Sequence, residues 1–502
     1  HQVEPEAERA YRLGAALDVT GRLDEAAFAR ALGEVTRRHE SMRTRIVLSP
    51  DGSPSQVVDA WRGSPLVVSE VADREEARRQ ATALLDEPFD LARGPLFRAH
   101  LLRVSEAERV LVLLVHHIIA DAWSWGVLER ELAVLYRAYV EGRASPLEEL
   151  PIQYRDYVVW QRTALSDEEL AAQVAFWKRH LEGAPPALEL PTDRPRPPEQ
   201  SYRGARHRWT SAAPLHDALR GLARRHDATL FMTLLAAVAV WLARHAGQDE
   251  VVLGVPIANR SRGDFEGLIG FFANTLALRV DLRGDPSFAE LLARVKESAL
   301  DAYAHEHARF EQVVEAVQPT RDLSRSPLFQ AMVILQNVPW EDDPWPGVER
   351  TPLAMPAGGA KFDVTLQIAE TPAGLWTELE YNADLFDRST IDRLARRLDL
   401  LLEAAARSPN TKIGDLPLVT EDERRTMLAS WNDTTRAVDA RSVVELFEAQ
   451  VDRTPDAVAL VHGDASLSYR ELDARTNRID HLHRARGVAA GDLVGLAIER
   501  SL

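Results

Sequence analysis

Residues 110–115 form an unbroken run of apolar side chains, and this pattern predicts a strand that is buried on both faces. Further along, apolar residues recur at helical spacing, which predicts a core-facing helix that begins near Ser124. The residues at this spacing are Trp125, Leu128, Leu132, Leu135, Tyr136 and Tyr139. His116 and His117 therefore lie where a buried strand ends and the chain turns towards a helix, with Asp121 on the same turn.

The same two patterns alternate along most of the chain and predict an α/β fold. Strands are predicted at residues 10–19, 96–102, 202–210, 251–256, 332–335 and 379–382, and helices at 23–38, 228–243 and 390–406. The proline-rich segment 185–198 cannot lie in a helix or a central strand, so we expect an extended connector between two α/β lobes. The predicted boundaries are an N-terminal lobe at 1–180, a C-terminal lobe at 181–410, a linker at 411–440 and a further domain fragment at 441–502.

Composition narrows the class of protein. Hydrophobic residues make up 45% of the chain and charged residues 27%, as in ordinary globular proteins. The net charge of −17, without a basic stripe, argues against nucleic-acid binding. The most apolar stretch, 228–243, is too short to span a bilayer, so no membrane association is expected. The absence of cysteine excludes a disulfide framework and a cysteine zinc site and fits a reducing cytoplasm, where we expect a monomer.

The adjacent histidines carry the candidate chemistry. Neighbouring side chains on an extended segment point to opposite faces, so only one of His116 and His117 can face a given cleft. A neutral imidazole titrates near neutral pH and has one donor and one acceptor nitrogen, which suits it to taking a proton from an amine or a hydroxyl. Asp121 can either orient a histidine or pair with a distant arginine. A core role is commoner for a lone histidine, but the doublet, the aspartate and the turn together favour a site.

The stretch from His116 to Asp121 resembles the HHxxxDG signature of the condensation domains of nonribosomal peptide synthetases, which are relatives of chloramphenicol acetyltransferase. The family's glycine is Ala122 here. Other segments resemble family motifs in the expected order: RHESMRTR at 38–45, YRDYVVWQ at 154–161, GLIGFFANTL at 267–276, RDLSRSPLFQ at 321–330 and KFDVTL at 361–366. The motif that normally precedes the first strand is mostly absent, so the chain is expected to begin just inside the domain.

The last part of the chain resembles a different domain. LSYREL at 467–472, preceded by RTPDA at 453–457, is similar to the opening of an adenylation domain. The chain ends before any phosphate-binding loop, so this fragment is not expected to activate an amino acid. The resemblance therefore implies one condensation domain and the N-terminal fragment of an adenylation domain.

The resemblance implies a fold and a reaction. The fold is two chloramphenicol-acetyltransferase-like lobes in a V-shaped pseudo-dimer, with the active-site tunnel between them. The reaction is peptide-bond formation, in which the amine of a downstream aminoacyl thioester attacks an upstream acyl thioester. Both groups are held on phosphopantetheine arms, so the implied partners are an upstream donor carrier domain, a downstream acceptor carrier domain and the adjacent adenylation domain. No metal and no intrinsic cofactor are expected, and the substrates, the donor stereochemistry and the product stay open.

The resemblance also implies roles for single residues. His117 is predicted to contact the amine, as a base, as a positioning group or by steadying the intermediate, whereas His116 is predicted to be structural. Asp121 is predicted to hold the turn through an arginine that the sequence does not identify. The residues expected to support the site are Arg38, Arg43, Arg260, Ala122, Trp123, Ser124, Asn274 and Gln336, the last followed by Asn337.

Three alternatives stay open. His305 and His307 flank Glu306, but this spacing is not a metal motif and lacks a third ligand, so a metal site is not expected. An epimerisation domain shares the histidine motif, but the adenylation-like segment that follows directly suits condensation. A catalytically silent docking module is the other rival, and a strained backbone at Ala122 with a blocked tunnel would favour it.

Overall fold

We describe a computed structural model of the protein, over residues 8–320, 322–336, 344–353, 359–438, 440–499 and 501–502. Arg321 and Asn337, which belong to two of the sequence motifs, lie outside these ranges. The chain forms two compact units, His1–Glu421 and Asp422–Leu502.

The larger unit contains two β-sheets, which define two lobes. Its strands are β1 (Arg12–Gly21), β2 (Thr44–Leu48), β3 (Pro54–Val58), β4 (Leu66–Glu70), β5 (Phe97–Arg103), β6 (Glu108–His116), β7 (Gly204–Ala212), β8 (Glu250–Ile257), β9 (Asn274–Asp281), β10 (Ala331–Gln336), β11 (Val348–Pro352), β12 (Val364–Thr371) and β13 (Gly374–Asn382). Within the described residues the first lobe has a sheet of order β11-β1-β6-β5-β4, and the second lobe has one of order β7-β13-β12-β10-β8-β9. A separate hairpin joins β2 to β3.

Helices cover both sheets. They are Glu25–Arg38, Arg74–Asp86, Ala122–Val140, Tyr154–Thr163, Asp167–His180, Ala213–Arg225, Leu230–Ala246, Gly263–Glu266, Phe288–Ala304, Phe310–Val317 and Arg388–Arg407. The predicted strand at 110–115 is confirmed as the buried centre of β6, and the predicted apolar helix at 228–243 is confirmed within Leu230–Ala246. The helix expected near Ser124 begins earlier, at Ala122, because the Asp121 carboxylate caps it by accepting a hydrogen bond from the Ser124 backbone N–H.

Each lobe has its own apolar core. The core of the first lobe includes Phe28, Val112, Leu132 and Tyr136, and that of the second lobe includes Trp241 and Leu366. A smaller apolar cluster forms around Tyr157, Phe265, Leu268 and Phe272.

Three segments depart from a simple division of the chain at residues 180 and 410. The helix Asp167–His180 precedes residue 180, but its Trp177 is buried in the second core. β11 pairs antiparallel with β1 in the first lobe, although it lies between strands of the second lobe in sequence. Ile413 and Leu416, in the predicted linker, are buried in the second core, and their backbone carbonyls accept hydrogen bonds from Arg244. The packed part of the larger unit therefore continues beyond residue 410.

The smaller unit is a short α/β arrangement. A helix at Val443–Arg453 is followed by the antiparallel strands β14 (Val458–His462) and β15 (Ala465–Ser468) and by a helix at Tyr469–Ala485. Before it, the chain forms the short helix Glu421–Arg425, which continues as one π-helical turn, Thr426–Ser430.

No single helix in the described ranges is long and apolar enough to cross a bilayer. Only Ala213–Arg225 and Leu230–Ala246 taken together reach that length and composition in these ranges, and the two helices are bent by 105° at the break between them.

Candidate active site

The histidine pair lies at the end of β6, on the side of the first lobe that meets the second. The His117 backbone N–H donates to the Tyr11 carbonyl oxygen, 2.8 Å away, which fixes the chain as it leaves the sheet. His116 is buried between the rings of Tyr11, stacked at 6.5 Å between centroids, and Phe89, in edge contact at 5.9 Å. His117 is half-buried and faces the other way, with its ring against Phe271 at 5.0 Å.

Hydrogen bonds to the backbone set opposite tautomers for the two imidazoles. His117 Nδ1 lies 2.9 Å from the Ala120 carbonyl oxygen, which can only accept, so Nδ1 carries the proton and Nε2 keeps its lone pair. His116 Nδ1 accepts from the Ile118 N–H at 3.1 Å, so the proton of His116 is on Nε2. The lone pair that an amine N–H can meet therefore belongs to His117.

Burial keeps both imidazoles neutral at physiological pH. It lowers the pKa of His117 to about 4, and the positive charge of Lys361 adds to this effect. It lowers the pKa of His116 to about 4 as well, with smaller contributions from the neighbouring charges. A histidine that binds a proton this weakly keeps its lone pair free to accept a hydrogen bond at physiological pH and is a weak base.

Asp121 pairs with Arg260, which the sequence had left as one of three candidates. Arg260 Nη2 lies 3.1 Å and 3.4 Å from the two carboxylate oxygens, and both side chains are buried. The same carboxylate accepts hydrogen bonds from the Ser124 hydroxyl and from the Phe272 backbone N–H. Arg260 also donates to the Leu268 carbonyl oxygen.

Ser124 completes this connection between the lobes. Its hydroxyl, whose single proton goes to the Asp121 carboxylate at 2.7 Å, accepts a hydrogen bond from the Gly270 N–H at 3.1 Å. The histidine turn of the first lobe is thereby joined to the loop at residues 267–273, and this loop places Phe271 against His117.

The other two candidate arginines have different partners. Arg38 makes two hydrogen bonds to the Glu131 carboxylate, at 3.1 and 3.2 Å, and His39 contacts the same carboxylate at 3.0 Å. Arg43 donates to the Asp59 carbonyl oxygen at 2.7 Å. Both arginines hold helices and turns of the first lobe together at a distance from the carboxylate of Asp121.

Ala122 occupies the first position of the helix, and its side chain is exposed. It is absent from the described residues with positive φ, so the substitution of the family's glycine brings no backbone strain here. The neighbouring Trp123 donates its indole N–H to the Glu266 carbonyl oxygen at 2.9 Å, a second link between the turn and the other lobe.

Asn274 and Gln336 support the site from further away. The Asn274 amide donates to the carbonyl oxygens of Glu306 and Ala308, and its oxygen accepts from the Phe310 N–H. Gln336 contacts Gln367 at 3.4 Å, and within the described residues no hydrogen bond or ring contact joins it to His117.

Three residues at the site were not selected from the sequence as site residues. Tyr11 and Lys361 approach the histidines from opposite lobes, and Phe271 covers His117 while remaining 40% exposed. Phe271 and Lys361 both lie inside quoted motifs, so the motif positions were the available signal. The backbone lies close to a neighbouring side chain at Gly270, where a Cβ would be 2.2 Å from the Tyr154 ring.

No metal site competes with this arrangement among the described residues. No group of three or more His, Cys, Asp or Glu side chains in the described ranges is placed to hold an ion. His305 follows the end of the helix Phe288–Ala304 and stacks on Phe176 at 3.8 Å.

Comparison with known proteins identifies the family of the larger unit. The family model for the condensation domain matches residues 1–428. The chain belongs to the condensation-domain family. A second model, for AMP-binding enzymes, matches residues 447–502 and follows the condensation domain directly. Condensation domains of nonribosomal peptide synthetases form peptide bonds, so the family identified from the histidine motif and the amide-forming activity expected from it are confirmed.

The curated relatives of this chain are large synthetases, and the chain aligns with one part of each. The chain is 42% identical over 495 residues to one of the linear gramicidin synthase subunits of Brevibacillus parabrevis, an alignment that covers 97% of this chain and 10% of that protein. It is 40% identical over 504 residues to the dimodular nonribosomal peptide synthase of Bacillus subtilis strain 168, with coverage of 98% and 21%. The chain thus spans a small part of the length of these relatives.

Solved structures share the fold. The X-domain from teicoplanin biosynthesis is 31% identical, with a TM-score of 0.75 and coverage of 82% of this chain and 93% of that chain. Holo-AB3403, a four-domain nonribosomal peptide synthetase bound to AMP and glycine, has a TM-score of 0.84 at 23% identity, covers 98% of this chain and 38% of that chain, and shows the fold alone. The predicted α/β fold of two chloramphenicol-acetyltransferase-like lobes is confirmed, and these neighbours are consistent with the V-shaped pseudo-dimer.

Proposed function

We propose that this condensation domain joins the acyl group of an upstream carrier domain to the amine of an aminoacyl group on a downstream carrier domain. The observation that carries the proposal is the His117 imidazole, whose Nε2 lone pair is left free by the bond from Nδ1 to the Ala120 carbonyl oxygen. Both reactants arrive as thioesters on phosphopantetheine arms, and the chain itself supplies positioning and electrostatics.

The reaction needs no covalent enzyme intermediate. The amine nitrogen forms a bond to the thioester carbonyl carbon, the carbon–sulfur bond then breaks, and the departing thiolate takes the proton that the nitrogen loses. We propose that His117 acts by accepting a hydrogen bond from the neutral amine, because a pKa of about 4 lies too far below that of an ammonium group for efficient proton abstraction.

The remaining residues support this contact. The buried Asp121–Arg260 pair and Ser124 hold the turn that presents His117, and His116 fills the space behind it. We further propose the donor and acceptor carrier domains as partners, a monomeric state and a cytoplasmic location, the last supported by the absence of cysteine.

A single-turnover peptide-bond assay tests the proposal. Carrier domains loaded with donor and acceptor thioesters are mixed with the chain, and the amide product is measured over time. We expect His117→Ala to lower the rate by about 100-fold or more, because a reacting amine that is no longer held in position loses about this much. His462→Ala, at an exposed histidine of the smaller unit, is the matched control and is expected to leave the rate unchanged. Equal rates for His117→Ala and the control would contradict the assignment.

A docking role is the second candidate, and one observation favours it. The X-domain from teicoplanin biosynthesis, 31% identical to this chain, has been solved in a complex with OxyB. The ordinary backbone at Ala122 and the intact histidine turn favour catalysis instead. If neither the wild-type chain nor Ala122→Gly forms product with several substrate pairs, the docking role becomes the better explanation. The adenylation-type segment that follows the domain argues against an epimerisation domain.

A further inference from the structure

One cation lies beside the histidine pair and has no part in the roles assigned so far. Lys361 belongs to the second lobe, just before β12, and its ammonium nitrogen lies 4.1 Å from the centroid of the Tyr11 ring in the first lobe. The same Tyr11 ring stacks on His116, and its carbonyl oxygen accepts the His117 N–H. Lys361 is therefore one aromatic ring away from the His116 side chain, and its charge also acts on His117.

Lys361 is also an unusual residue for this chain. The sequence contains four lysines against a combined total of 60 lysines and arginines, so its cations are almost all arginine. Of the other three, Lys178 and Lys412 are exposed and Lys296 is half-buried in the helix Phe288–Ala304, whereas Lys361 is half-buried at the site. A flexible ammonium here is chemically distinct from an arginine, because its charge is compact and its pKa responds to burial.

The charge of Lys361 is not neutralised by a neighbouring carboxylate in the described part of the chain. No carboxylate in those ranges lies within 4.0 Å of its nitrogen. Glu380 acts on it from a longer distance, but the Glu380 carboxylate is hydrogen-bonded to Arg206 at 3.0 Å. An ammonium withdrawn from water without a close counter-ion costs free energy, and such groups are concentrated at functional sites.

The proposed reaction develops a negative charge that such a cation can stabilise. When a neutral amine attacks a thioester, the carbonyl electron pair moves onto oxygen and gives an oxyanion, while the nitrogen becomes positive. The lone pair on His117 Nε2 suits the N–H of that nitrogen and offers nothing to the oxyanion. A positive charge or a preorganised donor near the oxygen is usually the largest electrostatic contribution to acyl transfer.

We propose that Lys361 is a catalytic residue whose ammonium stabilises the oxyanion of the tetrahedral intermediate. The inference deepens the proposed condensation function and depends on it. The oxyanion forms as the nitrogen–carbon bond forms, and it collapses when the carbon–sulfur bond breaks and the thiolate takes the proton from nitrogen. Lys361 gives up no proton in this sequence, so the ammonium must stay charged throughout.

The other charged groups around Lys361 allow a distinct pH dependence. Burial lowers the pKa of Lys361 to about 8, and Glu380 opposes this shift. The two imidazoles that face it are neutral at physiological pH, Arg206 is bonded to Glu380, and Tyr11 faces Glu311 from the helix Phe310–Val317. The group among these that loses a positive charge near pH 8 is Lys361 itself.

The test is the pH dependence of the single-turnover rate in the full chain with loaded carrier domains, between pH 6.5 and 9.5, corrected for reaction without the chain. We expect the wild-type rate to fall above about pH 8 as Lys361 loses its proton. Lys361→Met should lower the rate at pH 7 by about 100-fold, the usual effect of removing one group that stabilises an oxyanion. Lys361→Arg should keep most of the rate and lose the fall above pH 8, because a guanidinium stays protonated. Lys178→Met, at an exposed lysine, is the matched control.

Several outcomes would overturn the proposal. A wild-type rate in Lys361→Met would do so directly. If Lys361→Met is slow but Lys361→Arg keeps the fall above pH 8, the cation only ties the lobes together through Tyr11, and Tyr11→Leu should then be as slow as Lys361→Met. If the wild-type chain forms no product, both the condensation function and the role of Lys361 are contradicted. If the wild type forms product and Lys361→Met forms it at an equal rate, only the role of Lys361 is contradicted.

Discussion

At the scale of single residues, the site is organised by one buried ion pair rather than by the histidines themselves. Asp121 caps the helix that follows the turn, and Arg260 satisfies its carboxylate from the other lobe. Arg260 also lies over the Phe272 ring at 4.0 Å and donates to the Leu268 carbonyl oxygen. Removal of the arginine therefore leaves a buried carboxylate and an unsatisfied carbonyl group together.

We predict that Arg260→Met destabilises the larger unit by about 3–5 kcal/mol, because one partner of a buried charge pair is left without the other. The free energy of unfolding from urea denaturation measures the effect. Arg262→Met is the matched control, since Arg262 forms an exposed pair with Asp264 at 2.9 Å and its loss should cost less than about 1 kcal/mol. Equal losses of unfolding free energy in the two variants would show that the buried pair contributes no more to stability than the exposed pair.

The sequence predicted which types of residue occur at the site more accurately than it predicted which residues pair with each other. The strand, the turn and the opposite orientation of His116 and His117 follow from local patterns. The choice of Arg260 over Arg38 and Arg43 depends on which loop of the second lobe reaches the turn, and no local pattern contains that information. Lys361 was overlooked for the same reason, because its position beside the histidines arises only when the two lobes meet.

At the scale of elements, the loop at residues 267–273 connects the turn, the apolar cluster around Tyr157 and the face of His117. The Gly270 N–H donates to the Ser124 hydroxyl, and Phe271 covers His117. The Tyr154 hydroxyl donates to the Phe271 carbonyl oxygen at 2.7 Å, which fixes the Tyr154 ring next to Gly270. The loop therefore has no room for a side chain at position 270.

We predict that Gly270→Ala destabilises the larger unit by about 1–3 kcal/mol and slows condensation, because the added Cβ would meet the Tyr154 ring at 2.2 Å and shift Phe271 away from His117. Urea denaturation and the single-turnover assay measure the two effects. Gly267→Ala is the control from the same loop, since a Cβ there meets nothing within 4 Å. A variant of Gly270 that behaves like the Gly267 control would mean that the loop adjusts freely.

Hydrophobic patterns predicted most of the elements, and their ends were set by capping groups. The helix expected near Ser124 begins two residues earlier because of the Asp121 cap. Strand order lies beyond such patterns, because pairing between strands joins residues that are far apart in sequence.

At the scale of the whole molecule, the two lobes share parts of the chain. Trp345 lies between strands of the second lobe in sequence but is buried in the first core, where its ring packs on Phe28 at 5.0 Å and on Tyr136 at 5.8 Å. β11 follows directly and pairs with β1. The first lobe is therefore completed by a segment that arrives after most of the second lobe.

We predict that Trp345→Ala destabilises the first lobe by about 3–5 kcal/mol, the usual cost of removing a large buried aromatic side chain. Hydrogen exchange should become faster in β1 and β6 and stay unchanged in β12 and β13. Trp431→Ala, at a tryptophan that is 71% exposed, serves as the control. Faster exchange spread equally over both sheets would contradict a separate effect on the first lobe.

The return of β11 to the first sheet has a consequence for the exchange of parts between related synthetases. A chimaera cut at the proline-rich connector would combine the N-terminal lobe of one parent with a β11 and a Trp345 of the other. The foreign strand would have to match β1 in register, and the foreign tryptophan would have to fill a pocket shaped by Phe28 and Tyr136. A functional exchange of lobes should therefore take residues 345–353 from the same parent as the N-terminal lobe. The exchangeable part then consists of two segments that are separate in sequence.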